Sequence, residues 1–76
     1  MTDVVYADFN NMDSSGRIRL NSVGTTEDIQ KLSLRLTEGM LLIISDSEMT
    51  AKGIVEFSSE EDIWVFTIDE GTVQDC

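Results

Sequence analysis

Short runs of β-branched, aliphatic and aromatic residues, separated by polar turn formers, dominate the second half of this chain. Met40–Ser45, Thr50–Phe57 and Ile63–Asp69 are three such runs. Thr37-Glu38-Gly39, Asp46-Ser47-Glu48 and Ser58–Asp62 supply the turns. This order predicts an antiparallel meander. Gly53 lies inside the second run and predicts a bulge or a sharp bend.

The first half reads less evenly. Val4–Asn10 has the composition of a strand, and Asn11–Gly16 is dense in turn residues. Arg17–Asn21 alternates strictly, with Ile18 and Leu20 facing inward and Arg17 and Arg19 outward. Together these segments predict a first hairpin. Thr25 with Asp28 three residues on suggests a capping box, and Ile29 and Leu32 share one helical face. One or two helical turns are expected over 26–32. Ser33–Leu36 is a short strand or an extended connector, and residues 70–76 are a short edge segment or a frayed end.

Five or six short strands with one helical turn form a small, highly bent sheet, which hides its edges best by curling. The expected architecture is mainly β: one domain over residues 1–76, a small SH3-like antiparallel barrel of five to six strands. Two of the strands are apolar on both faces. Met40, Leu42 and Ile44 alternate with Leu41 and Ile43; Trp64, Phe66 and Ile68 alternate with Ile63 and Val65. A sheet with one solvated face should alternate with polar residues. The second face therefore needs a cover, either the Ile29/Leu32 turn with the first hairpin, or another subunit or partner.

Composition narrows the chemistry. Five basic and fifteen acidic residues give a net charge of −10. Residues 1–38 hold four basic and six acidic residues, net −2, and residues 39–76 hold one basic and nine acidic, net −8. Such a surface repels phosphate and suits a basic protein partner or plain solubility, so nucleic acid and anionic membranes are not the expected ligands. No run approaches the roughly 18 apolar residues of a membrane span. The N-terminal residues lack the basic start and apolar core of a signal peptide. Cys76 has no prenylation context and, as the single cysteine, no partner for a disulfide. A cytoplasmic protein is expected.

The segments Asp8-Phe9-Asn10, Gly16-Arg17-Ile18-Arg19-Leu20-Asn21, Gly24-Thr25 with Glu27-Asp28, Leu36 with Glu38-Gly39-Met40, Gly53 with Val55, and Trp64-Val65 with Ile68-Asp69 cover most of the chain. They resemble a set of short uncharacterised bacterial proteins. The resemblance implies a shared fold and carries no activity to transfer. Its members commonly place a second aromatic just after the Ile-Asp pair, where this chain has Glu70.

Catalytic chemistry finds little support. Histidine is absent, which removes the usual general base and the usual zinc ligand. Ser14, Ser15, Ser45, Ser47, Ser58 and Ser59 lie in or beside turns, where serines bond their own backbone. Asp46 with Glu48, and Glu60-Glu61-Asp62, offer oxygen ligands but no calcium-loop pattern. No enzyme activity, cofactor or metal is expected. Arg17, Arg19 and Arg35 with Tyr6 and Phe9 could in principle bind nucleic acid, although salt bridging to acidic neighbours is the simpler role. The reading is a non-catalytic, acidic protein-interaction module, and a homodimer is open to it. Its surface would be carried by Glu56, Glu60, Glu61, Asp62, Asp69 and Glu70, with Trp64 or Ile63 as an apolar anchor. Two alternatives are a small acidic inhibitor or antitoxin-like protein that mimics nucleic-acid charge, and a small nucleic-acid-binding barrel.

Overall fold

A computed structural model describes residues 3–75. Cys76 and the Met1-Thr2 start lie outside the described residues, so the readings made there are not addressed by the fold. The elements are β1 (Val4–Tyr6), β2 (Ile18–Arg19), α1 (Val23–Lys31), β3 (Leu41–Ser45), β4 (Met49–Ser58) and β5 (Ile63–Ile68). A 3-10 turn (Glu70–Thr72) and β6 (Gln74–Asp75) follow. The fold is mainly β, as the sequence predicts. One sheet in the order β1-β3-β4-β5-β2 curls into a half-barrel, and β6 adds to β4.

The meander forms as expected. β3 pairs β4 antiparallel from Leu41↔Ile54 to Ser45↔Thr50, and β4 pairs β5 from Gly53↔Ile68 to Ser58↔Ile63. That second register runs without an inserted residue, so Gly53 makes no bulge. It serves a close approach instead. A Cβ there would lie 2.8 Å from Phe66 Cζ and would collide with the Thr67 carbonyl oxygen. Phe66 is fully buried on the concave face, with Val5, Ile18, Leu42, Ile44, Ala51 and Val55. Ile18 and Leu20 point inward, as their alternation requires.

The first hairpin does not form. β1 pairs β3 in parallel (Val4↔Ile43, Tyr6↔Ser45), and β2 pairs β5 antiparallel (Ile18↔Phe66). Residues 11–16 instead close a small loop on a Met12↔Ile18 bridge. Local turn chemistry signalled a reversal correctly. It could not report that the inward side chains of the two flanking strands match different partners in the sheet.

The helix also differs. It spans nine residues from an extended Ser22 N-cap whose side chain makes no capping bond. Thr25 and Asp28 do not form a capping box, because they reach outside the helix to the edge strand. Thr25 Oγ1 donates to the Tyr6 carbonyl at 2.6 Å, and Asp28 Oδ2 accepts the Tyr6 N–H at 2.7 Å. The helix can come this close because residue 24 is glycine: a Cβ would sit 2.7 Å from Tyr6 Cδ2. The two side chains occupy both outward hydrogen-bonding groups of Tyr6, a residue that would otherwise template another strand. Beyond the helix, Ser33–Leu36 is a connector without strand pairing.

Replacing Thr25 with Val leaves the Tyr6 carbonyl without its partner and should lower stability by about 1–3 kcal/mol. Gly53→Ala should cost about 3 kcal/mol or more, because the added Cβ runs into the Thr67 backbone carbonyl as well as the Phe66 ring. Urea unfolding followed by tryptophan fluorescence measures both. Two variants as stable as wild type would show that neither contact constrains the sheet.

Candidate functional site

Many of the carboxylates that give this chain its charge satisfy its own backbone. Asp8 accepts the Asn10 N–H at 2.9 Å, and Asp69 accepts that of Gly71 at 3.3 Å. Asp46 accepts from Glu48 at 2.7 Å and from Met49 at 2.6 Å. Asp13 accepts the N–H groups of Ser15 and Arg17 and the Arg17 Nε–H, each at 2.9 Å. These are turn carboxylates bonding the chain just ahead of them. Asp28 and Glu38 act across the fold, on the N–H groups of Tyr6 and Phe57, each at 2.7 Å. Thr67 donates its hydroxyl to Glu56. Asp3, Glu27, Glu48, Glu60, Asp62, Glu70 and Asp75 make no side-chain hydrogen bond or ion pair to any described residue.

Glu61 is held by Arg19 in a two-point pair, Nε to Oε1 and Nη2 to Oε2, both at 2.8 Å. The hydrogen bonds from Arg19 lower the Glu61 pKa, and the Glu61 carboxylate raises that of Arg19. The Arg17 backbone N–H is the main cause of a lowered pKa at Asp13.

The fold divides the residues expected to bind a partner. Glu60, Glu61 and Asp62 form the β4–β5 turn, and Ile63 and Trp64 open β5. Asp69 and Glu70 lie at the other end of β5, roughly 17 Å away along a six-residue strand. Glu56 sits on the convex face, in register with Val65. The structure therefore assembles Glu60, Asp62 and Trp64 at one place, and leaves Glu61 there already paired.

That hairpin end has a defined shape. Phe57 and Trp64 face each other across the two strands and meet edge to face, with centroids 5.1 Å apart. Phe57 is 38% exposed, so the pair ends on the surface. Trp64 also lines an open hollow of about 350 Å³ with Leu20, Ile29, Leu34 and Leu36. The turn is pinned beneath it: the Asp62 N–H donates to the Ser58 carbonyl at 2.7 Å, and the Glu61 N–H to Ser58 Oγ at 3.3 Å. Alternation along β4 gives Phe57 the same face as Gly53 and Val55. It lies near the end of β4, however, opposite Trp64 and past the rows that the concave core covers. The cross-strand register was the missing signal.

A second feature lies on the convex face. Leu41, Ile43, Lys52, Ile54, Asp69 and Thr72 line an open groove of about 550 Å³. Among the described residues no three acidic side chains converge as they would around a metal ion. No helix there is long and apolar enough to cross a membrane. Compared with known proteins, the chain matches no family model, no curated protein and no solved structure.

The Glu61 pair has a pH consequence. Its folded-state pKa lies below the unfolded value, so the stability it adds is fully present above about pH 4.5 and is lost as pH falls through the folded value. Glu61→Gln should be less stable than wild type at pH 7, and the gap should close in acid. Urea midpoints measured from pH 7 down to about pH 2.5 test this. A gap of constant size would exclude the pair as a source of the acid sensitivity.

Proposed function

We propose that this chain is a cytoplasmic, non-catalytic protein-interaction module that engages a basic partner through the β4–β5 hairpin end. The observation that carries this reading is the exposed Phe57 ring set edge to face on the half-buried Trp64, beside the unpaired Glu60 and Asp62. Aromatic side chains held rigidly at a surface are favoured contact anchors, because they bury much area and lose little conformational freedom. Free carboxylates around them raise the rate of encounter with a cationic surface and disfavour anionic ones. The hollow beside Trp64 offers an apolar recess for an aliphatic side chain. A meander followed by a single 3-10 turn supports the SH3-like reading of the scaffold.

The non-catalytic part rests on the absence of histidine and on the serines. Ser45 Oγ bonds the carbonyls of Asp46 and Met49, and Ser58 Oγ accepts the Glu61 N–H. The unpaired carboxylates lie before β1, on the helix, in the β3–β4 and β4–β5 turns, in the 3-10 turn and on β6; this scatter favours a local contact patch over a continuous mimic of a phosphate row.

Affinity capture at low salt, with wild-type chain and a Phe57→Ala/Glu60→Lys/Asp62→Lys variant as baits, tests the reading. Wild type should retain a basic protein whose binding falls with salt, and the variant should bind it at least roughly tenfold more weakly. A retained protein that binds both baits equally would move the contact elsewhere. Retention of no basic protein would remove the reading.

A further inference from the structure

The convex face has no explanation in the fold or at the hairpin end. Leu41, Ile43 and Ile54 lie side by side on β3 and β4, and Val4 is next to Ile43 on β1. Leu41 is 68% exposed, Val4 51% and Ile54 37%. An antiparallel sheet that meets water on one face carries polar residues there, whereas this face is aliphatic across three strands. The helix does not cover it, since α1 packs at the β1 edge and Leu32 is itself exposed.

The groove on this face contains one charge of each sign. The Asp69 N–H donates to the Lys52 carbonyl at 2.8 Å, so the two backbones touch. Their side chains nevertheless form no ion pair, and Lys52 has no acidic partner among the described residues. A basic partner seated here would meet Lys52, and an acidic one would meet Asp69. A second copy of the chain offers both complements at once. In a two-fold interface residue i meets residue j and j meets i, so Lys52 faces Asp69 twice.

We propose that the convex face is a two-fold docking surface for a second copy of this chain. Leu41, Ile43 and Ile54 form its apolar centre, and Lys52 and Asp69 exchange across the axis. A stable interface buries about 800 Å² per partner. This is about one-sixth of the 4872 Å² surface of the chain, a share that one sheet face can supply. The hairpin end stays exposed in such a dimer, so this proposal stands apart from the function proposed for that end.

Light scattering over a concentration series tests it. The wild-type mass should approach twice 8.5 kDa. Lys52→Glu and Asp69→Lys should each weaken association by roughly tenfold or more, and the Lys52→Glu/Asp69→Lys double variant should recover it to within about twofold. That recovery separates a lost ion pair from the loss of the Asp69–Gly71 hydrogen bond. Leu41→Ser, at a well-exposed position, should give a monomer with an unchanged circular dichroism spectrum. A wild-type mass of 8.5 kDa at the highest concentration reached would overturn the proposal. So would a double variant no better than the weaker single one, or a Leu41→Ser chain that associates like wild type.

Discussion

The ring of Phe66 packs against the backbone of β4 at Gly53, and the sheet is organised around that contact. β4 is the ten-residue central strand, and it pairs β3 on one side and β5 and β6 on the other. Phe66 is the largest fully buried side chain. It can lie over β4 only where no Cβ stands in the way. With the ring seated, Leu42, Ile44, Val55 and Ile18 close around it on the concave face. The convex face is thereby excluded from the core, which leaves Leu41, Ile43 and Ile54 at the surface. Packing on one side of β4 and exposure on the other thus have the same cause.

The negative charge divides between structural and free groups. In turns, Asp8, Asp13, Asp46 and Asp69 fill the valence of N–H groups that the short strands cannot pair. Asp28 and Glu38 do the same at longer range. An ionised carboxylate is a stronger acceptor than a neutral oxygen, so these positions gain from being acidic. A composition that suggested a broad acidic docking face resolves into a scaffold held partly by its carboxylates and a smaller set of unpaired ones. Glu60 and Asp62 belong to that smaller set, and their place beside Phe57 and Trp64 is what separates them from the others.

The meander was legible because each of its strands is specified locally. A run of β-branched residues ends at a turn that its own sequence encodes, and the next strand must then return beside it. The same logic failed for Val4–Asn10 and Arg17–Asn21. Parallel pairing of β1 with β3 joins segments nearly forty residues apart, and no turn between them signals it. Thr25 and Asp28 misled for a related reason. Their spacing fits a capping box, but the Tyr6 backbone stands close enough to accept a hydrogen bond from Thr25 and donate one to Asp28. Gly53 suggests a bulge or a bend in a linear reading, whereas it serves a close approach of the neighbouring strand and makes no bulge. Of the expected contact residues, Glu60, Asp62 and Trp64 meet at one end. Asp69 and Glu70 lie beyond the length of β5, and distance along a strand hides that separation in a linear reading.

The amino-acid sequence by itself determined the mainly-β class, the three-stranded meander, the inward positions of Ile18 and Leu20, and the presence of two strands that are apolar on both faces. These follow from alternation and turn chemistry, which act over a few residues. Only the tertiary structure decided which carboxylates are bound to backbone and which are free. It also decided that Phe57 reaches the surface beside Trp64, and that Lys52 and Asp69 share a groove without pairing. Each of those outcomes depends on which strands become neighbours and in what register, and long-range pairing chooses both.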